Sequence, residues 1–289
     1  MQLRLAKSRS ALTAAGVAYM PLEPFRSLFT SRLIKLVPGE FSVDDHAEKF
    51  FFDGKRRKID RLLISDENLV GWCGSMFGSG IPFKGAVSRL EQLRQLFPAA
   101  HITLFCSIRS YDTFITAAYC EALRNGAKFM KFRRFWDRID FDRLRWPRVI
   151  DGFIGAIQPN QTMIWKYEDF RANSSAILRD LAFGVDVSEL AEDAGGRPSF
   201  SQVTVELLEL IAAFKGGKVA SRLIRPIGDG LPKSEGYGQF DPWSNSERKL
   251  LTEHYNEDCK SIDPSLWLLA PDHVSRGATS EVVTSEVGT

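Results

Sequence analysis

Short hydrophobic runs alternate along the chain with stretches in which apolar residues recur every three or four positions. The runs have the length and composition of buried strands and lie at residues 17–20, 61–65, 102–108 and 162–167. The periodic stretches predict helices at residues 1–15, 43–58, 87–97, 111–124, 129–141, 146–157 and 170–181. Because strands and helices alternate, the pattern predicts an α/β fold with a parallel sheet that helices cover on both faces.

No strand is predicted beyond Phe183, where the pattern becomes helical. Two more helices are expected at residues 203–214 and 244–262, and Ser244 with Glu247 has the spacing of a capping box. Segments rich in glycine predict loops at residues 71–85 and 215–239. We expect one domain over residues 1–273 with a helical carboxyl-terminal part, followed by a disordered tail over residues 274–289.

The composition is that of an ordinary globular protein. The 289 residues are 44% hydrophobic and 26% charged. The chain has 38 basic and 36 acidic residues, and the resulting net charge of +2 does not favour a nucleic-acid partner. There is no run of 18 apolar residues and no signal-peptide pattern, and the four cysteines are widely spaced. We therefore expect a cytoplasmic protein without a membrane span.

Several well-known site motifs are absent from the sequence. Neither G-x-x-x-x-G-K-[ST] nor G-x-G-x-x-G occurs, so there is no standard nucleotide loop. The glycines at residues 74–80 are interpreted as a flexible loop. H-E-x-x-H and G-x-S-x-G are also missing, so neither a zinc site nor a serine hydrolase is expected, and we predict no metal cofactor.

One arginine stands at the end of the strongest predicted strand. The run at residues 102–108 is followed by Arg109, and a helical pattern begins at Tyr111. Open α/β sheets bind ligands at the carboxyl ends of their strands, and a guanidinium group matches the geometry of a phosphate. We expect Arg109 to bind an anion; a structural ion pair with Asp112 is the alternative.

Three segments carry a resemblance to a known family. Residues 102–119 contain a strand, an arginine, an aspartate three residues later and the start of a helix. Residues 162–181 read Thr-Met-Ile-Trp-Lys-Tyr-Glu-Asp-Phe and continue as a helix, and residues 2–21 contain Ser-Arg, Gly-Val-x-Tyr and a final proline. In this order they resemble segments of the sulfotransferases that use 3′-phosphoadenosine 5′-phosphosulfate (PAPS), particularly the bacterial members.

The resemblance implies a three-layer fold of the P-loop nucleotide-kinase-like type. It also implies PAPS as co-substrate and transfer of its sulfuryl group to a hydroxyl or amine of a carbohydrate or another small acceptor. Arg109 is then expected to bind the 3′-phosphate. The family's serine for this phosphate, eight residues after the arginine, is Ala117 here, so Ser110 and Thr116 are the candidate substitutes.

The family's first strand and its Pro-Lys-x-Gly-Thr-Thr loop, which binds the 5′-phosphosulfate, have no counterpart in the sequence. The chain starts with the helix that follows this loop in the family. We expect either a shortened form of a longer protein, which we favour, or a degenerate member. In either case PAPS binding would be weak and turnover low. A non-catalytic remnant that serves as a binding or scaffold module is the alternative function.

Two residues are candidates for the general base. Glu67 follows the strand at 61–65, where the resemblance implies a catalytic histidine or lysine, and its carboxylate would accept the acceptor's proton. A capping or loop carboxylate is the alternative. His46 is a second candidate, with an exposed helical residue as its alternative reading. Lys215 and Lys218 are expected either to fold over the cofactor or to lie in a solvated loop.

Overall fold

The computed structural model of the chain describes residues 1–20, 22–27, 61–71, 82–83, 85–125, 129–187, 199–233 and 236–269. The protein is mixed α/β, with two small parallel sheets among a majority of helices. Three predictions lie outside the described residues, namely the helix at 43–58, most of the loop at 71–85 and the tail at 274–289.

Four strands form two parallel pairs. Strand β1 (Val17–Tyr19) pairs with β2 (Arg61–Leu63), and β3 (Thr103–Ile108) pairs with β4 (Gln161–Lys166). The strands predicted at these places are therefore confirmed. In the second pair Ile108 lies opposite Lys166, so β3 and β4 end side by side. The residues that directly follow these two strands therefore lie at the same edge of the sheet.

Helices precede, separate and follow the strands. The first are α1 (Gln2–Lys7), α2 (Arg9–Ala14), α3 (Leu22–Phe25), α4 (Ala86–Leu96), α5 (Tyr111–Arg124) and α6 (Phe132–Trp136). They are followed by α7 (Phe141–Leu144), α8 (Trp146–Ile157), α9 (Phe170–Leu181), α10 (Gln202–Lys215), α11 (Gly217–Gly230) and α12 (Asn245–Ser261). Within the described ranges, none of the helices has both the length and the apolar character that crossing a membrane needs.

Helices cover both faces of the β3–β4 pair. On one face Ile108 and Ile164 belong to a large core that includes side chains of α5 and α8. On the other face Trp165 packs with Ile177 of α9. The same helix contributes Leu178 to a third cluster that also contains residues of β1 and β2. Helix α9 therefore packs against both pairs of strands.

The predicted loop at residues 215–239 is wrong over most of its length, since residues 217–230 form α11. Ala220 and Ile224, four residues apart, are buried and give this segment an apolar helical face. The glycines of this segment and Pro226 are typical of loops, so the helical spacing of its apolar residues was not recognised in the sequence. Pro226 nevertheless lies inside the helix. Pairing also continues beyond Phe183, because Trp267 forms a parallel bridge with Ile164 of β4.

A buried carboxylate joins three helices. Asp258 of α12 is only 2% exposed and accepts hydrogen bonds from the Tyr111 hydroxyl, the Trp146 backbone N–H and the Arg145 guanidinium. Tyr111 and Trp146 are the first residues of α5 and α8. Burial, together with the adjacent carboxylate, raises the pKa of Tyr111, so its hydroxyl keeps the proton that it donates. The network thereby fixes the turn that contains Arg109.

We expect Asp258→Ala to lower the free energy of unfolding by about 3 kcal/mol, because it leaves the Tyr111 hydroxyl buried without its acceptor and removes the buried carboxylate that pairs with Arg145. Urea denaturation followed by circular dichroism measures this change. Glu257→Ala is the matched control, since Glu257 is 64% exposed and its ion pair among the described residues is with the same Arg145, at 3.3 Å. Its effect should stay below about 0.5 kcal/mol. Equal losses in the two variants would contradict the role of the buried network.

Candidate functional site

An open pocket lies at the carboxyl ends of β3 and β4. The turn after β3, the first turn of α5 and the segment that follows β4 form its walls. Its volume is about 300 Å³. The lining residues are Arg109, Thr113, Tyr167, Glu168, Phe170 and Arg171. Sequence analysis placed an anion site at this edge, and the pocket contains two arginines there.

Contacts on three sides hold Arg109 in place. Its Nε donates to the Thr113 hydroxyl at 2.9 Å, and its guanidinium carbon lies 4.5 Å from the ring centroid of Tyr167. The backbone carbonyl of Arg109 accepts a hydrogen bond of 2.8 Å from the indole of Trp146. Neither Nη group has a hydrogen-bond partner among the residues that the structure describes. The guanidinium therefore has a fixed position and donors that remain available to a ligand.

The predicted alternative, an ion pair between Arg109 and Asp112, is not what the structure contains. Asp112 instead pairs with Arg248 of α12 at 2.6 Å and accepts a hydrogen bond from the Ser110 hydroxyl. The carboxylate is buried, so it needs this partner. Arg109 is thus not neutralised by the nearest acid in the sequence.

A second cation, Arg171, enters the pocket from the start of α9. It is the second residue of this helix, between the 3₁₀ turn at residues 167–169 and a kink at Asn173, and the amino end of a helix carries a partial positive charge. Arg171 is exposed, and no partner for it is found in the described part of the chain. A cation at this end of a helix is unfavourable, and a bound anion would offset both charges.

The acid in the pocket is held by its own donors. Glu168 accepts a hydrogen bond of 3.0 Å from the backbone N–H of Ser110 and one of 3.1 Å from the hydroxyl of Tyr255. Each bond uses a different oxygen of the carboxylate. Glu168 therefore connects the turn after β3 to the segment after β4 and to α12.

The two predicted substitutes for the phosphate-binding serine are placed differently. The Ser110 hydroxyl donates to Asp112 beside the pocket. Thr116 is buried, where its hydroxyl donates to the Asp112 carbonyl at 2.7 Å and accepts from the Trp243 indole at 2.9 Å. Thr116 does not line the pocket. A phosphate contact from either residue stays a prediction. The buried position of Thr116 supports such a contact less than the position of Ser110 does.

Glu67 lies at the carboxyl end of β2 in a small polar cluster. Its Oε1 accepts a hydrogen bond of 2.9 Å from Arg26, and its Oε2 accepts one of 2.5 Å from Gln2 of α1. Arg26 also binds Asp66, which caps the short 3₁₀ turn at residues 67–69. The side chain of Glu67 is 66% exposed. The structure thus places this candidate base at an open strand end, held by an arginine.

The remaining predicted site residues are not found at the pocket. Lys215 ends α10 and Lys218 lies in the first turn of α11, with Gly216 between the two helices. Both lysines are exposed, and neither lines the Arg109 pocket. His46 lies outside the described residues. A contact of these side chains with a cofactor stays a prediction.

Four members of the polar sites were not predicted from the sequence, namely Thr113, Tyr167, Arg171 and Arg26. The ring of Tyr167 stacks on the guanidinium of Arg109. Arg171 is the residue that the sequence could have indicated. A basic residue near the predicted start of a helix is unfavourable beside the helix dipole, so such a residue suggests an anion nearby.

Two of the described cysteines are buried. Burial raises the pKa of the Cys120 and Cys259 thiols to about 11 each, so both stay protonated at neutral pH. No group of three or more His, Cys, Asp or Glu side chains in the described ranges is arranged to hold a metal ion.

No family model, curated protein or solved structure matches this chain. The resemblance to PAPS-dependent sulfotransferases therefore rests on the three sequence segments alone. The geometry of the Arg109 pocket has to support the function independently.

We expect Arg171→Gln to raise the free energy of unfolding by about 0.5 kcal/mol in a buffer of low anion content, because it removes a cation from the positive end of α9. Arg179→Gln is the matched control. Arg179 is an exposed arginine in the last turn of the same helix, where a cation is favourable, so its removal should lower stability by a similar amount. Chemical denaturation of both variants measures these changes. A loss of stability in Arg171→Gln would show that its charge is already compensated.

Proposed function

We propose that this protein binds PAPS at the carboxyl edge of its strands and transfers the sulfuryl group to a hydroxyl or amine of a carbohydrate or another small acceptor. The main support is the guanidinium of Arg109, which is held by Thr113 and Tyr167. Its two Nη groups have no hydrogen-bond partner among the described residues, so they can donate to a ligand. Arg171 adds a second positive charge to the same pocket. Two guanidinium groups at a strand end suit one phosphate group.

We also infer that the two strand pairs belong to one parallel sheet of the P-loop nucleotide-kinase-like type, with helices in the layers above and below. Both pairs are parallel and both pack against α9. In the described residues, β2 pairs only with β1, and β3 pairs only with β4. The other edges of β2 and β3 would therefore accept one further strand. A phosphosulfate loop at the end of such a strand would lie between Glu67 and Arg109.

The proposed reaction requires two tasks from this chain. PAPS supplies a sulfuryl group on a phosphate leaving group, so a sulfur–oxygen bond breaks as the acceptor atom bonds to sulfur. Arg109 binds the 3′-phosphate and orients the co-substrate without taking part in these bond changes. Glu67 is the candidate base that takes the proton of the acceptor, and Arg26 positions its carboxylate.

The binding task is tested by calorimetric titration with 3′-phosphoadenosine 5′-phosphate. Arg109→Ala should weaken its binding at least about tenfold, since charge-assisted hydrogen bonds to the phosphate are lost. Adenosine 5′-phosphate, which lacks the 3′-phosphate, should bind equally to both proteins. The control Arg134→Ala removes an exposed arginine without a partner in the described residues and should have no effect. Tight binding that is unchanged in Arg109→Ala would refute the assignment.

The catalytic task is tested by the release of 3′-phosphoadenosine 5′-phosphate from PAPS in the presence of amino sugars and simple saccharides. Glu67→Gln should lower kcat about 100-fold while nucleotide binding is retained. Glu257→Gln is the control, because Glu257 is exposed to a similar degree but lies on α12. Equal rates in Glu67→Gln and the unsubstituted chain would exclude Glu67 as the base.

A binding module without catalysis is the second candidate function. It is favoured by one observation, namely that both oxygens of Glu67 are already engaged, by Arg26 and by Gln2. Such a carboxylate is typical of a structural ion pair as well as of a positioned base. Nucleotide binding that depends on Arg109, without sulfuryl release to any tested acceptor, would support this second function.

A further inference from the structure

Helices α10 and α11 form an antiparallel hairpin. Only Gly216 separates the two helices in the chain. At the other end of the hairpin, the hydroxyls of Ser201 and Thr204 donate to the carbonyl of Leu231 at 2.7 and 2.8 Å. Each helix has 14 residues, so the turn at Gly216 lies about 20 Å from these hydrogen bonds. We call this turn, with the adjoining ends of both helices, the hairpin tip.

Helix α10 is apolar on two opposite sides. One side belongs to the core, where Val205 and Leu208 are 1% and 0% exposed. On the other side, Val203, Leu210 and Phe214 are 38%, 54% and 78% exposed. Their spacing of seven and then four residues places these three side chains on one face of the helix. The outward face of such a helix is normally polar, so this stripe is typical of a surface that contacts a partner.

The same end of the hairpin carries positive charge. The chain between Glu209 and Asp229 contains four basic residues and no acidic one. The four are Lys215, Lys218, Arg222 and Arg225, and all of them are exposed. The last three lie on one face of α11, on the side away from the buried Ala220 and Ile224. The most exposed apolar side chain of the described residues, Phe214, is therefore followed directly by a cluster of cations.

An anionic lipid surface suits both features of the hairpin tip. Lipid chains accept a protruding apolar side chain such as that of Phe214, and anionic headgroups attract basic residues beside it. Lysine and arginine side chains are long enough for their charged ends to reach the headgroups from an apolar contact. A second copy of the chain suits the tip less well. In a symmetric dimer each patch meets its own copy, so the two basic clusters would repel each other.

We propose that the hairpin tip binds the surface of an anionic phospholipid membrane. Leu210 and Phe214 enter the lipid layer, and the basic residues of the tip contact the headgroups. Lys215 and Lys218 do not line the Arg109 pocket, so this contact uses a different part of the molecule from the proposed nucleotide site. It does not depend on the use of PAPS.

Cosedimentation with phospholipid vesicles tests the apolar contact. The chain should bind vesicles that contain phosphatidylserine at least about tenfold more tightly than vesicles of phosphatidylcholine alone. Leu210→Ser should weaken binding to the anionic vesicles about tenfold. Leu250→Ser is the matched control, because Leu250 is 51% exposed but lies on α12, and it should bind like the unsubstituted chain. Equal affinities of all three proteins for the anionic vesicles would overturn the proposal.

The contribution of charge is tested by replacing both lysines of the tip. Lys215→Gln combined with Lys218→Gln should weaken binding to the anionic vesicles at least about tenfold and reduce its dependence on salt. The control combines Lys249→Gln with Lys260→Gln, which removes two exposed lysines from α12 and should leave the affinity unchanged. Equal losses in the two double variants would count against a contact at the tip, because net charge alone would then explain the binding.

The orientation of the protein on the membrane gives an independent measurement. Phe214→Trp places an emitter at the tip, and brominated phosphatidylcholine in the anionic vesicles should quench it. Leu250→Trp, on α12, should not be quenched more than the unsubstituted chain. Equal quenching in the two variants would contradict insertion of the tip. Sedimentation velocity without lipid examines the other occupant: a dimer that Leu210→Ser dissociates, together with no vesicle binding, would assign the stripe to a second copy and refute the membrane contact.

Discussion

The site depends on the buried carboxylate of Asp258. This one side chain accepts hydrogen bonds from the first residue of α5, the first residue of α8 and Arg145. The indole of Trp146, which begins α8, in turn donates to the carbonyl of Arg109. A carboxylate 149 residues away in sequence thus determines where the strand-end arginine stands, because an unpaired charge at that depth would be too costly.

Three arginines in this fold differ in how their charge is balanced. Arg145 and Arg248 pair with the buried carboxylates of Asp258 and Asp112 and join α12 to the rest of the core. Arg109 has no acidic partner among the described residues and lies at the end of a strand. Unbalanced charge at such positions favours external anions over internal ion pairs.

The sequence was sufficient for the parts that depend on local pattern. Continuous apolar runs identify β3 and β4, and the strand-end rule places Arg109 at the sheet edge. The pairing of Asp112 could not be foreseen, since Arg248 lies 136 residues later in the chain. The burial of Arg89 was equally hidden, because a single arginine on an amphipathic helix is typical of an exposed position. Its Nε donates to the carbonyl of Leu69, which lies 20 residues earlier in the chain.

The most direct test of the central claim is a crystal structure of this chain with bound 3′-phosphoadenosine 5′-phosphate. The 3′-phosphate should lie at the carboxyl end of β3, with its oxygens roughly 2.7–3.2 Å from the Nη atoms of Arg109. The ring of Tyr167 should still stack on the guanidinium. A nucleotide bound elsewhere, with the Arg109 donors not contacting phosphate, would contradict the assignment of this edge as a PAPS site.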